Sequence, residues 1–282
     1  MESQNPLKKH FRRPSIFFKL PSRGKFWAEG ALELPATGDI PVYPMTTADE
    51  ITLKTPDGLM NGSSVVEVIQ SCCPSIKNAW DMPSVDTDAL LIAIRIASYG
   101  SDMEMNTVCP HCNARNAYTF NLTAMLDQAK SPDYNKPVMF DGLEIKLRPL
   151  NYLEITKTNI KSYEEQRIVD SLKDESISDE VRNAEIKASV ERIMAANEES
   201  LLASTEYIKT EDGDYITNKE FIKEYYENAS ANAVKAVRAR MEEYAVEGAL
   251  PVSTVECVEE ECGKQFSFPL TFDYSSFFGL SS

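Results

Sequence analysis

Histidine is nearly absent from this 282-residue chain, and with it goes much of the usual machinery of catalysis. Only His10 and His111 occur. One lies in a basic terminal stretch and the other between two cysteines, so no histidine acid–base pair can be assembled from a core. The Gly-x-Gly-x-x-Gly, Gly-x4-Gly-Lys-Ser/Thr and Gly-x-Ser-x-Gly signatures are missing too. The expectation is a chain that is not an enzyme. No run nears the roughly eighteen apolar residues of a membrane helix, and the amino-terminal stretch lacks an apolar signal core. That predicts neither a membrane span nor secretion. Positive charge is short: 29 Lys and Arg stand against 44 Asp and Glu, a net charge of −15. Phosphate backbones would be repelled, so no nucleic-acid partner is expected. Six cysteines are too few for a disulfide scaffold. What is present, 43% hydrophobic and 26% charged residues, is enough for one large or two ordinary globular domains with real cores.

Four of the cysteines form short loops. Cys109-Pro110-His111-Cys112 follows Val108 and precedes the alternating Tyr118-Thr119-Phe120-Asn121-Leu122. Cys257 and Cys262 enclose four residues, follow Val255, and precede Phe266-Ser267-Phe268-Pro269-Leu270. A short turn carrying two thiolates suits tetrahedral zinc, and two such turns close a four-sulfur site. A lone Cys-x-x-Cys could also be a redox pair, but Cys109 does not open a helix after a strand. Asn113 to Asn116 suit a turn between strands instead. The 144 residues between Cys112 and Cys257 (113 to 256) far exceed ordinary ribbon spacing. The matching flanks nevertheless join Cys109, Cys112, Cys257 and Cys262 into one structural zinc site, with His111 left on the surface. The competing reading is two pairs of reduced thiols in hairpin turns. Cys72 and Cys73, adjacent at a helix end, read as buried thiols.

Along the chain, residues 1–13 are polar and then basic. They read as a solvated arm, or as one that docks on an acidic partner. Ile16 to Leu20 reads as a strand, ended by a Pro21-Ser22-Arg23-Gly24 turn. A strand from Ile40 to Tyr43 leads to a helix capped by Thr46 or Thr47, and Ser63 or Ser64 caps a helix ending at the paired cysteines. Asp86-Thr87-Asp88 is expected to cap a helix from Ala89 to Tyr99, apolar all round except at Arg95 and stopped by Gly100. Arg95 then requires a carboxylate or carbonyl partner. A strand alternates through residues 142–150, and Asn151 opens a helix. Three apolar-periodic segments follow, the last running from Asp179 to Ile208. A turn at 211–214 and two amphipathic helices, near 217–225 and 230–246, complete the stretch. The aromatic tail, with Phe272, Tyr274, Phe277 and Phe278, either tucks into the fold or docks elsewhere.

Strand, proline, helix and cysteine knuckle thus occur twice in the same order. The expected fold class is α+β, predominantly helical with short β-hairpins. A zinc-ribbon-like knuckle pair is formed by two diverged strand–helix–knuckle units. The expected divisions are an arm and docking segment at 1–37, a first unit at 38–122 and a linker at 123–141. A second unit spans 142–273 with a helical insertion at about 151–250, and the tail is 274–282.

Several stretches carry a resemblance. Leu20-Pro21-Ser22-Arg23-Gly24, Pro44-Met45-Thr46-Thr47-Ala48-Asp49-Glu50, the segment from Asp88 to Gly100, and Cys109-Pro110-His111-Cys112 resemble the T4-like phage baseplate protein family. That family comprises baseplate hub and hub-assembly proteins of contractile-tailed phages. The likeness covers about the first 150 residues well and the rest loosely. It implies no catalytic residues. It implies a role in tail morphogenesis as a hub subunit or hub-assembly chaperone. The partners would be other hub and tail proteins, with no small molecule. The place of action would be the host cytoplasm during assembly, and the finished tail baseplate if the protein stays. A cytosolic zinc-ribbon adaptor of a nucleic-acid machine is the alternative, and a Cys-x-x-Cys redox enzyme comes third.

Overall fold

The computed structural model describes residues 5–173, 178–250, 253–268 and 277–278. Its first part is built on a short hairpin and a helical layer. Strand β1 (Ile16–Phe18) pairs antiparallel with β2 (Ile40–Val42). Helices α1 (Thr47–Thr52), α2 (Pro56–Met60), α3 (Ser63–Cys72) and α4 (Ser84–Tyr99) follow. Thr46 caps α1 through a capping box with Asp49. Gly62, in the left-handed region at φ 79°, takes the position expected of Ser63 or Ser64 ahead of α3. Both cysteines at its end, Cys72 and Cys73, are buried.

Helix α4 is the centre of this part. Leu90, Leu91, Ile92, Ala93 and Ile94 are all fully buried, each large side chain contributing roughly 1.5–3 kcal/mol by leaving water. The helix begins five residues before Ala89, at Ser84. Asp86 is therefore inside its first turn and does not cap it. Its carboxylate is engaged elsewhere, accepting from Ser22 N at 2.8 Å, Ser22 Oγ at 2.5 Å and Trp27 Nε1 at 2.8 Å. Gly100 ends the helix as expected. Arg95 finds a carbonyl: its Nε donates to Phe277 O at 3.1 Å, and its guanidinium stands 4.6 Å over the Tyr99 ring. Phe277 and Phe278 are buried in this same core, so that portion of the tail tucks in. Phe272 and Tyr274 lie outside the described residues.

The amino-terminal arm is corrected by the structure. Asn5 to Lys8, His10 and Phe11 are exposed, but the arm is tied to the fold at Arg12, which donates to Pro44 O, Asp49 Oδ2, Ser71 O and Ser71 Oγ at 2.8–3.1 Å. The acidic group it meets belongs to its own chain.

A long hairpin, β3 (Asp102–Val108) with β4 (Arg115–Asn121), leads into α5 (Leu122–Gln128). The second part then opens with β5 (Val138–Phe140) and β6 (Leu143–Leu147). Helix α6 (Tyr152–Ser171) unites two of the three expected apolar segments, and α7 (Asp179–Ser204) is the third. The third segment does not reach Ile208 as helix. Residues Thr205–Lys209 form β7, which hairpins with β8 (Tyr215–Ile216) and joins a sheet ordered β5-β6-β7-β8. The helical insertion expected over 151–250 thus contains strands that complete the sheet begun by β5 and β6. Helices α8 (Lys219–Asn228) and α9 (Ala231–Gly248) close a second core around Ile145, Leu147, Leu201, Ile208, Ile222 and Val237. A last hairpin, β9 (Ser253–Glu256) with β10 (Gln265–Phe268), returns the chain to β3 and β4. The fold is α+β, mostly helical, with short antiparallel strand pairs.

Candidate metal centre

Two hairpin tips meet at the four cysteines. In the first, Cys109 follows β3 directly, and its N–H donates to Ala114 O at 2.9 Å. Asn113 N–H then reaches back to Cys109 O at 2.9 Å, and Asn113 takes φ 60° to close the turn. Asparagine is one of the few side chains that tolerate this region. In the second tip, Cys257 N–H donates to Lys264 O at 3.0 Å. Its two extra residues are absorbed by a turn in which Cys262 N–H and Gly263 N–H both donate to Glu259 O at 2.9 Å. Gly263, at φ 51°, stands after Cys262 as Asn113 stands after Cys112. The tips are alike in construction despite unequal length.

The sulfurs are gathered. All four Sγ atoms lie within 4.8 Å of one another. Cys109 Sγ is 3.9 Å from Cys262 Sγ, and Cys112 Sγ is 3.6 Å from Cys257 Sγ, each contact running between the hairpins. A zinc–sulfur bond of about 2.3 Å sets the edge of a tetrahedron at roughly 3.8 Å, so these spacings suit a four-thiolate site. They are far too long for disulfides, and all four residues are free thiols. Cys109 and Cys257 are buried, Cys262 is half-buried and Cys112 exposed, while His111 sits on the surface.

The electrostatics point the same way. Burial raises the Cys109 pKa, but the His111 and Cys112 backbone N–H groups and the neighbouring thiols bring it down to about 7. At Cys112 a backbone N–H bond at Ala114 lowers the pKa, yet burial and the other three cysteines push it up to about 12. One thiolate forms readily here and opposes the next. Only a cation among the sulfurs would let all four ionise together. The donor set and its geometry therefore fit a tetrahedral thiophilic ion.

Polar groups that composition did not reveal lock the hairpins together. Asn116 is buried; its Oδ1 accepts from Val258 N at 2.8 Å and its Nδ2 donates to Ala114 O at 2.9 Å. Tyr118 Oη donates to Glu256 O at 2.7 Å, and its ring lies 6.4 Å from that of Phe266. With Cys109, Cys257 and Phe266, the Tyr118 ring forms a small apolar cluster separate from both main cores. Glu259, Glu260 and Glu261 are exposed on the second tip.

The family model described as T4 bacteriophage base plate protein matches residues 14–279 of this chain. The chain belongs to that family. The match takes in both hairpins, both main cores and the long helical pair, so membership rests on the whole architecture and not on the cysteines alone. No curated protein and no solved structure matches the chain. As a member of a structural phage baseplate family, it is a structural baseplate protein whose partners are proteins of the tail. Among the described residues no helix is long and apolar enough to cross a membrane.

Proposed function

We propose that this baseplate protein works at the hub, as a subunit or as an assembly factor for it, and that a structural zinc on Cys109, Cys112, Cys257 and Cys262 braces it. The observation that carries the zinc is the convergence of four free thiols from hairpins 145 residues apart. With all four coordination positions taken by sulfur, no vacancy remains for substrate, so the ion supplies folding energy and not catalysis.

Two units clasped at their ends underlie this reading. A matching device opens each helical run. Arg12 Nη1 donates to Pro44 O and Asp49, the carboxylate of the Thr46 capping box. Arg148 Nη1 likewise donates to Pro149 O and to Glu154, the carboxylate of the Asn151 capping box. The prolines, caps and carboxylates align without an offset. Each unit then ends in a cysteine hairpin with a left-handed residue after its second thiol. These parallels support the duplication of a strand–helix–knuckle unit, with the 151–250 stretch elaborated in the second copy.

Elemental analysis of the purified chain tests the metal: about one zinc per chain is expected, and a Cys112→Ser chain should lose it while both main cores persist. A Cys112→Ser protein keeping a full equivalent of zinc with unchanged melting would sink the site. Copy number in purified tails tests the role. Stoichiometric presence supports the hub subunit. Presence in assembly intermediates with absence from finished tails supports the assembly factor. Normal tails formed without the protein refute both.

A further inference from the structure

Helices α6 and α7 run antiparallel and are held together by a row of polar links. Thr158 Oγ1 meets Ser200 Oγ at 3.0 Å, Lys161 pairs with Glu199, and Arg192 donates to both oxygens of the buried Glu165 at 2.6 and 3.0 Å. The α7 side chains on the same face, Ser189 and Ala196, are small and buried. The large apolar side chains of α7 lie on a different face. Ile186, Val190, Ile193 and Met194, spaced three and four residues apart, are 39, 50, 38 and 56% exposed. Among the described residues nothing covers them. Single exposed apolar residues are ordinary, but four in one stripe mark a surface that meets another.

The pattern of the stripe identifies what meets it. Asn183 and Asn197, both exposed, bound it, each seven residues from Val190. Positions 183, 186, 190, 193 and 197 read Asn-Ile-Val-Ile-Asn in either direction. A two-fold contact demands that property, because residue i of one copy meets j of the other while j meets i. A second α7 turned end for end about Val190 sets Ile186 against Ile193 and Met194 of the second copy. It also sets Val190 against Val190, and Asn183 beside Asn197. The polar ends confine the apolar contact to this register, as a single asparagine does in a coiled-coil seam. Charge agrees with it. Lys187 and Glu191 stand exposed on one flank of the stripe, 3.9 Å apart. End-for-end pairing brings Lys187 of each copy to Glu191 of the other, so unlike charges meet twice across the axis. The net charge of −15 on each chain opposes the approach, but at physiological salt it is screened beyond about 8 Å.

We propose that this face of α7 is a self-complementary interface, through which two copies of the chain associate antiparallel about Val190. The inference goes beyond the hub role and the zinc and depends on neither.

Sedimentation velocity of the purified full-length protein tests it. A contact of four apolar residues from each copy predicts a reversible dimer with a dissociation constant of about 10–100 μM. Val190→Glu should abolish the dimer across that range by placing two carboxylates on the axis. Because Val190 is half exposed, the variant should melt at the wild-type temperature in dilute solution, which separates lost association from lost folding. Lys187→Glu should weaken association about tenfold by setting like charges across the axis, and adding Glu191→Lys should restore it. A wild-type chain still monomeric at about 500 μM overturns the proposal and leaves the stripe to a different tail protein. A dimer that survives Val190→Glu overturns it as well. Failure of the Lys187→Glu/Glu191→Lys exchange to restore the dimer overturns the antiparallel register.

Discussion

Replacing Asp86 by asparagine separates two opposed effects at one buried carboxyl. Three donors should favour the carboxylate, yet the group is fully buried among α4, Ser22 and Trp27. Burial dominates and pushes its pKa from 3.8 to about 6. The folded state then binds a proton more tightly than the unfolded chain does. Asp86 contributes most to stability below about pH 4, and that contribution is lost as pH rises through about 6. A shift of that size corresponds to about 3 kcal/mol across the window, at 1.36 kcal/mol per unit. Asparagine keeps the shape and cannot titrate. Its Nδ2, placed where Oδ2 accepts from Trp27 Nε1, sets a donor against a donor and costs about 1–3 kcal/mol. Urea unfolding of both proteins between pH 4 and 7.5, followed by fluorescence of Trp27 and Trp80, reads the difference directly. The cost of Asp86→Asn should be greatest at pH 4 and shrink by about 2 kcal/mol by pH 7, part of the full change lying below pH 4. A cost that stays flat, or grows with pH, would mean the three hydrogen bonds outweigh burial and would refute the reasoning.

Arg12→Ala removes donors to Pro44, Asp49 and Ser71, and should lower stability by about 1–3 kcal/mol in thermal melts, part of the interaction being screened by solvent. Burial raises the Asp49 pKa, but bonds from Thr46 and Ser71 and the Arg12 charge bring it below 3.8 overall. Its contribution is therefore present above pH 3.8 and lost as pH falls through the lower folded value, and Arg12→Ala should weaken that acid dependence. Phe277→Ala should cost about 3–5 kcal/mol, because its ring fills the first core. Wild-type melting from this variant would show that the tail contributes nothing to that core. Loss of zinc from Cys112→Ser, measured by elemental analysis, checks the brace.

Much of the first part was legible because its signals are local. Thr46 before Asp49, Gly100 after an apolar run, and the 211–214 turn each act within a few residues, and the structure places all three as expected. The approach of the four cysteines to one another was legible through paired spacing and matching flanks. Ile208 misled because Leu201, Thr205 and Ile208 also lie at helical spacing. What makes Thr205–Lys209 a strand is its pairing with β6, near Lys146, which no local periodicity reports. Arg12 misled for a similar reason. A basic stretch reads as solvated until Asp49 and Ser71 are brought beside it by the fold. Asn116 carried only a faint signal, a polar residue in an alternating strand, and its partner Val258 lies 142 residues away.

The distance between the two cysteine hairpins also fixes an order of events during synthesis. At about 5–20 residues per second, Cys257 leaves the ribosome roughly 7–30 s after Cys112. Until then β3 and β4 can pair, but their tip has no counterpart, and Asn116 and Tyr118 lack the main-chain groups they bind. The first hairpin must wait exposed, with two reduced thiols, while α6 to α9 are made. A chain terminated early would carry that open tip permanently. Closure of the thiol cluster thus marks a molecule whose translation has passed residue 262, and a partner that reads the joined hairpins would reject chains that stop short of it.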